Sequence, residues 1–160
     1  MTPVLPQIAN ADIVAVLQTA MAPAFLLVGL GAMLNIFTGR LARIIDRSRV
    51  MQDRFKETTG EEHALCVNEL RDLQLRIKYV NSAIYLSVVS AIVVCILIGL
   101  LFAMGLTGNP VLAQSVAVAF IIAVILLSLA LIQFFREVRI GIRDFMIREE
   151  YLEKTDNNDR

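Results

Sequence analysis

The sequence predicts an all-α membrane protein: three transmembrane helices, a cytoplasmic antiparallel helical hairpin between the first and second, and a C-terminal cytoplasmic helical extension. The first supporting observation is that residues 13–37, 80–104 and 111–135 contain no Asp, Glu, Lys, Arg or His. Each segment exceeds the ~20 apolar residues that a helix needs to cross about 30 Å of hydrocarbon. The second is composition, since 57% of the 160 residues are hydrophobic and the mean hydropathy is +0.67.

The third observation is the distribution of basic residues. Of the 15 Lys and Arg residues, nine lie within 40–78 and six within 136–160. Because loops rich in Lys and Arg stay on the cytoplasmic side, the first loop and the C-terminus are expected inside and the N-terminus outside. The net charge of zero gives no support to nucleic-acid binding. A cleaved signal peptide is disfavoured, because no basic residue precedes the first apolar segment, which is also too long.

Residues 1–12 are interpreted as a lead outside the membrane, and residues 13–38 as the first transmembrane helix, opening at Ala11 and Asp12. Pro23 is expected to kink this helix. One face carries mostly small or polar residues, which favour close helix packing in lipid. An alternative interpretation is that these residues line a narrow pathway in an oligomer. The candidate pore-lining or packing residues are Gln18, Ala22, Gly29, Ala32 and Asn35.

Residues 39–79 are predicted to form the cytoplasmic hairpin. Its outgoing arm has a coiled-coil seam with one polar position, and its returning arm repeats the spacing. Gly60 is expected to break the helix, and Thr59 with Glu62 has capping-box spacing. The two seams are Leu41, Ile44, Ser48, Met51 and Phe55, and Cys66, Leu70, Leu73 and Ile77.

Arg40, Arg43 and Arg47 follow the first apolar segment and have three interpretations. In the first interpretation, the arginines anchor the inner end of the helix, as the charge rule requires. In the second, which is compatible with anchoring, they attract anionic lipid headgroups. In the third, they form a ring of positive charge at the cytoplasmic pore mouth of an oligomer.

The second transmembrane helix is predicted over 80–104, with a small residue at every fourth position, which indicates a close helix crossing. A turn outside the membrane follows at 105–110. The third helix, 111–135, is richer in Ile and Leu and is expected to face more lipid. A cytoplasmic amphipathic tail, 136–160, completes the single integral membrane domain. The close-packing residues of the second helix are Ala83, Ser87, Ala91, Cys95 and Gly99.

The sequence contains no recognisable catalytic constellation, so we expect no enzymatic activity and no cofactor. His63 is expected to be an exposed helical residue, because one His and one Cys are too few for a closed zinc site. Cys66 and Cys95 are expected to be free thiols, since one lies in the hairpin and the other within a span. The apolar segments also contain no titratable acidic or basic residue, which argues against a self-contained proton-driven transporter.

Several short motifs together resemble a known family. They are Met21-Ala22-Pro23-Ala24-Phe25-Leu26-Leu27, Gly31-Ala32-Met33-Leu34, Arg40-Leu41-Ala42-Arg43-Ile44-Ile45-Asp46-Arg47, Asn81-Ser82-Ala83-Ile84 and Arg136-Glu137-Val138-Arg139. Over about residues 15–143, the chain resembles a bacterial membrane family catalogued as domain of unknown function twenty-seven twenty-one. The resemblance implies a small multi-pass protein of the bacterial inner membrane and supplies no activity or site residues.

Two functions remain open from the sequence. In the first, the chain is a homo-oligomer that forms a channel-like pore lined by the first helix, because one three-helix chain is too small to enclose a pore. In the second, it is a structural or regulatory accessory subunit of a larger membrane complex and docks through its hairpin. Both place the chain in contact with a lipid bilayer, with the N-terminus periplasmic and the C-terminus cytoplasmic.

Overall fold

A computed structural model describes the backbone of residues 5–107 and 111–146, and the side chains of 14–107 and 111–142. Within these residues the chain is entirely helical apart from one short turn. The helices are α1 (Leu5–Glu57), α2 (Glu61–Thr107) and α3 (Val111–Met146). By length and composition, each is long and apolar enough to cross a membrane.

The helices pass without interruption from the apolar segments into the charged ones, as the sequence predicts for α1. The helix α1 also continues through Pro23. It begins at Leu5, earlier than the expected start at Ala11 and Asp12. Pro6 is compatible with this start, because it falls in the first turn, where a proline costs no helical hydrogen bond. The predictions for residues 108–110 and for the tail beyond Met146 lie outside the described residues.

The turn between α1 and α2 depends on Gly60. This residue has φ of 70°, a conformation that glycine adopts without steric cost. Its carbonyl accepts the backbone N–H of Ala64 at 3.3 Å, so Gly60 occupies the position before α2 that the sequence assigned to Thr59. His63 is half-buried rather than exposed, because its ring packs on Phe55 with centroids 4.2 Å apart.

Buried positions recur with a seven-residue repeat in each helix, the pattern of a coiled-coil seam. In α3 the repeat consists of Ala123, Ala130 and Glu137. The hairpin seams follow the prediction in part, since Ile44 and Met51 are buried whereas Phe55 is exposed. The repeats of the longer helices are Pro23, Leu30, Phe37, Ile44 and Met51 in α1, and Val80, Ser87, Val94 and Leu101 with Ala83, Ser90 and Leu97 between them in α2.

The chain divides into two compact units. We call the described residues of Met1–Asn35 and Tyr85–Leu129 the apolar unit. Its core consists of aliphatic side chains, with one cluster around Leu30, Val94 and Ala123. The second cluster comprises Ala20, Leu97 and Leu101. A buried hydroxyl adds a polar contact between helices: Ser90 Oγ donates to the carbonyl of Ala123 at 2.8 Å.

We call the described residues of Ile36–Ile84 and Ala130–Arg160 the charged unit. Its buried aromatic contact joins Phe37 and Phe134, whose ring centroids lie 4.5 Å apart. Its α1 and α2 segments are linked near the turn by Phe55 and His63 and farther along by an Arg47–Glu69 ion pair of 2.7 Å. Its buried residues therefore include apolar side chains and a fully buried carboxylate, Glu137.

Most of the apolar surface of the helices is left uncovered in the single chain. In the most apolar 18-residue window of each helix, 22% of residues are buried in α1, 28% in α2 and 11% in α3. The low value for α3 agrees with the expectation that the third span faces more lipid. Such helices require a surrounding apolar phase, so the chain is a membrane protein in contact with a lipid bilayer.

Candidate functional site

The most unusual group in the charged unit is the carboxylate of Glu137, which has no solvent exposure. Arg40 from α1 donates through one terminal nitrogen to Oε2 at 3.0 Å. Arg76 from α2 donates to Oε1 through Nε at 3.2 Å and through a terminal nitrogen at 3.0 Å. A buried carboxylate needs such charged partners, because desolvation would otherwise cost several kcal/mol, on the order of 3–5. Glu137 thus links all three helices.

Neighbouring residues hold the two arginines in place. The Arg40 guanidinium lies over the ring of Phe134, 5.4 Å from its centroid. Phe134 itself packs on Phe37, one turn before Arg40 on α1. On the other side, a Cβ at Gly141 would lie 2.9 Å from a terminal nitrogen of Arg76, so glycine at this position leaves room for the guanidinium. The local sequence therefore provides both an aromatic support and a gap for the ion pairs.

Beside this ion-pair group lies a cavity of about 300 Å³ in the charged unit. Four arginines and two apolar residues line it: Arg40, Arg43, Arg47, Arg76, Ile44 and Leu73. We call this cavity and its lining residues the arginine cleft. Glu137 neutralises part of the charge of Arg40 and Arg76, and Glu69 pairs with Arg47. Within the described residues, Arg43 forms no ion pair.

The structure brings together all three arginines singled out in the sequence. Arg40, Arg43 and Arg47 lie on one side of α1 because their spacing of three and four matches the helical period. They line the same cavity rather than dispersing around the helix. Their assignment to a pore mouth or to lipid headgroups stays a prediction, and this clustering is compatible with either.

The candidate pore-lining or packing residues of α1 lie on the outside of the chain. Gln18, Ala22, Gly29, Ala32 and Asn35 are all exposed. A Cβ added at Gly29 would meet no heavy atom within 4 Å. This face is consequently available to lipid or to another copy of the chain. Its assignment to pore lining or to helix packing stays a prediction.

The predicted close-packing face of α2, which has a small residue at every fourth position, is only partly buried. Ala83 and Ser87 have no exposure and Ala91 is half-buried, whereas Cys95 and Gly99 are exposed. A step of four residues turns a helix by 40° more than one full revolution, so the face drifts away from its neighbours. Close packing of Cys95 and Gly99 stays a prediction that only another chain can satisfy.

Sequence reasoning missed two members of the ion-pair group, Glu137 and Arg76. The available signal was the seven-residue repeat of α3, which places Glu137 in register with Ala123 and Ala130. A carboxylate at a seam position indicates a buried charge with a cationic partner. Nothing in the spacing of Arg76 alone distinguishes it from Arg71, the exposed arginine of the returning arm.

The thiol prediction is confirmed, because Cys66 and Cys95 are both free. Cys66 is buried beside the turn, where its sulfur lies 3.9 Å from Thr58 Oγ1.

Among the residues with described side chains, no three His, Cys, Asp or Glu are grouped so that they could hold a metal ion. The four guanidinium groups that line the arginine cleft are hydrogen-bond donors of the kind that pair with anionic oxygens.

Comparisons with known proteins give one assignment. No curated protein and no solved structure matches the chain significantly. A family described as a protein of unknown function, DUF2721, matches residues 20–147. This range contains α2, α3, the part of α1 from residue 20 onward and every residue of the arginine cleft. This range agrees with the resemblance seen in the motifs. On this evidence, the chain belongs to the DUF2721 family of proteins of unknown function.

Proposed function

We propose that this chain is a non-enzymatic protein of the bacterial inner membrane that assembles into a homo-oligomer and forms a channel-like pore lined by α1. The observation that carries the proposal is the exposed polar and small face of α1. On this face, Gln18 shares one side of the helix with Ala22, Gly29 and Ala32, and all four are exposed in the single chain.

Gln18 supplies the energetic argument. It is the sixth residue of the uncharged segment 13–37, so it falls within the predicted span. An amide facing hydrocarbon without a hydrogen-bond partner costs roughly 2–7 kcal/mol. A second copy of the chain or a water-filled path at this face removes that cost.

The small residues supply the geometric argument. Ala22, Gly29 and Ala32 allow the backbone of another helix to approach closely, which favours association in lipid. One three-helix chain has too little surface to enclose a path, so several copies must surround an axis. An α1 helix at that axis would place its amide and small side chains toward the path and its basic extension at the cytoplasmic mouth.

The test compares Gly29→Leu with Gly31→Leu. Both glycines are exposed, and an added Cβ at either meets no atom within 4 Å, but they lie on nearly opposite sides of α1. We expect Gly29→Leu to shift the oligomer toward monomer in native mass spectrometry and to abolish ion flux into proteoliposomes, whereas Gly31→Leu retains both.

Two results would contradict the proposal separately. A wild-type chain that is monomeric in mild detergent and in nanodiscs would contradict self-assembly. A monodisperse oligomer that passes no ion under any voltage or membrane tension would contradict the pore while leaving assembly in place.

The orientation has its own test. We propose that the turn near Gly60 lies in the cytoplasm, since the segments on both sides carry nine of the Lys and Arg residues. In a chain with both native cysteines replaced by serine, Glu61→Cys should react with a membrane-impermeant maleimide only after the cells are opened. Labelling in intact cells would contradict a cytoplasmic location of the turn and would indicate the opposite orientation.

A second candidate function is an accessory subunit that docks a partner through the hairpin. The observation that favours it is exposed apolar surface outside the predicted spans, at Val50, Leu65 and Leu75. Co-purification of a stoichiometric larger partner, lost in Leu65→Glu, would support this function over the pore.

A further inference from the structure

Among the residues whose side chains the structure describes, the arginines of the cleft outnumber the carboxylates that pair with them. Four guanidinium groups line it, and two carboxylates, Glu69 and Glu137, pair with three of them. These four arginines and two glutamates together carry a formal charge of 4 − 2 = +2. Arg40 and Arg76 keep only 33% and 20% of their side-chain exposure, so water screens their charges incompletely.

Crowded cations of this kind repel one another unless an anion lies between them. Glu137 holds Arg40 and Arg76 at one end of the cleft, which prevents them from turning into solvent to reduce the repulsion. Arg43 and Arg47 extend the row along α1. Arg40, Arg47 and Arg76 are thus held by carboxylates before any ligand arrives, and Arg43 adds a guanidinium group beside them. Guanidinium groups placed in this way suit the recognition of an oxyanion.

We propose that the arginine cleft binds a phosphate group, from either an anionic phospholipid headgroup or a free phosphate. Guanidinium groups bind phosphate oxygens through paired, charge-assisted hydrogen bonds, and an arginine offers five N–H donors in a planar fork. The cavity of about 300 Å³ is large enough for a phosphate with attached groups, since one water takes about 30 Å³ in the liquid.

Two features connect the site to the bilayer. Arg40 lies three residues beyond the uncharged segment 13–37, so the cleft begins close to the polar edge of the predicted span. Ile44 and Leu73 add apolar surface to the lining of the cavity, which suits the glycerol and upper acyl carbons of a lipid. Because one chain supplies every residue of the cleft, phosphate binding there requires neither oligomerisation nor conduction.

The test measures binding by the intact chain and by Arg43→Gln and Arg54→Gln variants. Arg43 lines the cleft, whereas Arg54 is an exposed arginine farther along the same helix and outside the cleft. Both changes remove one positive charge, so any non-specific electrostatic attraction to anions is weakened equally in the two variants. Lipid binding is measured by native mass spectrometry from nanodiscs of phosphatidylcholine with phosphatidylglycerol, and phosphate binding by the thermal shift in detergent with inorganic phosphate.

We expect Arg43→Gln to weaken binding about ten- to hundredfold, the effect of losing one charge-assisted hydrogen bond, and Arg54→Gln to weaken it less than about threefold. Retention of phosphatidylglycerol without a phosphate shift identifies a lipid site. A phosphate shift that competes with lipid identifies a site for the phosphate group alone.

Three results would overturn the inference. The first is that the wild-type chain shows neither a preference for phosphatidylglycerol over phosphatidylcholine nor a phosphate shift. The second is that Arg43→Gln and Arg54→Gln lose binding equally. The third is that an acidic peptide partner, rather than any phosphate compound, protects the cleft arginines from modification by phenylglyoxal.

Discussion

The apolar unit and the charged unit are built from segments of the same three helices, but different contacts hold each of them together. In the apolar unit, the helices meet through aliphatic clusters and one hydroxyl, Ser90. In the charged unit, a buried carboxylate joins two arginines, and Phe37 packs on Phe134. Both units nevertheless use the same seven-residue repeat of buried positions.

The difference reflects the solvent that each unit is expected to meet. Lipid gives helices no hydrophobic reason to associate, so close packing and an occasional hydrogen bond must suffice. Outside the hydrocarbon, arginine and glutamate side chains can be accommodated, and ion pairs add specificity to an apolar seam. The spacing of a seam therefore determines which residues are buried, and the solvent determines which residue types are tolerated there.

The largest effect is expected from Glu137→Ala in the charged unit. The change leaves Arg40 and Arg76 without their shared acceptor, and breaking a buried pair in this way costs about 3 kcal/mol. The free energy of unfolding in mixed micelles titrated with dodecyl sulfate measures it.

Glu69→Ala is the matched control. Glu69 also pairs with an arginine, but its side chain is 42% exposed, so the loss should stay below about 1 kcal/mol. Equal losses for the two variants would show that the burial of Glu137 contributes nothing.

The next effect tests close packing in the apolar unit through Gly105→Val. A Cβ at Gly105 would collide with the side chain of Val16, and overpacking of this kind costs about 2 kcal/mol. An added Cβ at Gly99 on the same helix meets no atom within 4 Å, so Gly99→Val should change the unfolding free energy by less than about 0.5 kcal/mol. A neutral Gly105→Val would mean that α1 and α2 do not pack closely there.

A smaller effect is expected at the turn of the charged unit. Gly60→Ala forces a Cβ into a positive-φ conformation and should destabilise the chain by about 1 kcal/mol. Gly39→Ala, in a helical position with open space, should be neutral or stabilising. Thermal unfolding followed by circular dichroism distinguishes the two, and an unaffected Gly60→Ala would indicate that the turn can adopt another conformation.

The smallest effect compares two buried serines of the apolar unit. Ser90→Ala removes the hydrogen bond to the Ala123 carbonyl and should cost about 0.6 kcal/mol, the usual value between helices in membranes. Ser87 Oγ has no hydrogen-bond partner, so Ser87→Ala should be neutral or stabilising. The free energy of unfolding is again measured by the dodecyl sulfate titration. A greater loss of this free energy in Ser87→Ala than in Ser90→Ala would reveal a polar contact at Ser87.

Much of the fold was predictable from local patterns. The uncharged segments predicted the three helices, and the break at Gly60 followed from a residue type that tolerates positive φ. Once α1 is a helix, the spacing of Arg40, Arg43 and Arg47 is enough to place them on one side of it. Each of these inferences needs only neighbouring residues, because a helix is defined by its own hydrogen bonds.

The cleft was not predictable in the same way. Arg76 and Glu137 are separated by 61 residues, and Arg40 and Glu137 by 97, so no local pattern relates them. The sequence by itself determined three membrane-length helices, their polar extensions and the row of arginines on α1. Tertiary structure decided which arginines share a buried carboxylate and line a cavity, because that depends on how three helices align their seven-residue repeats.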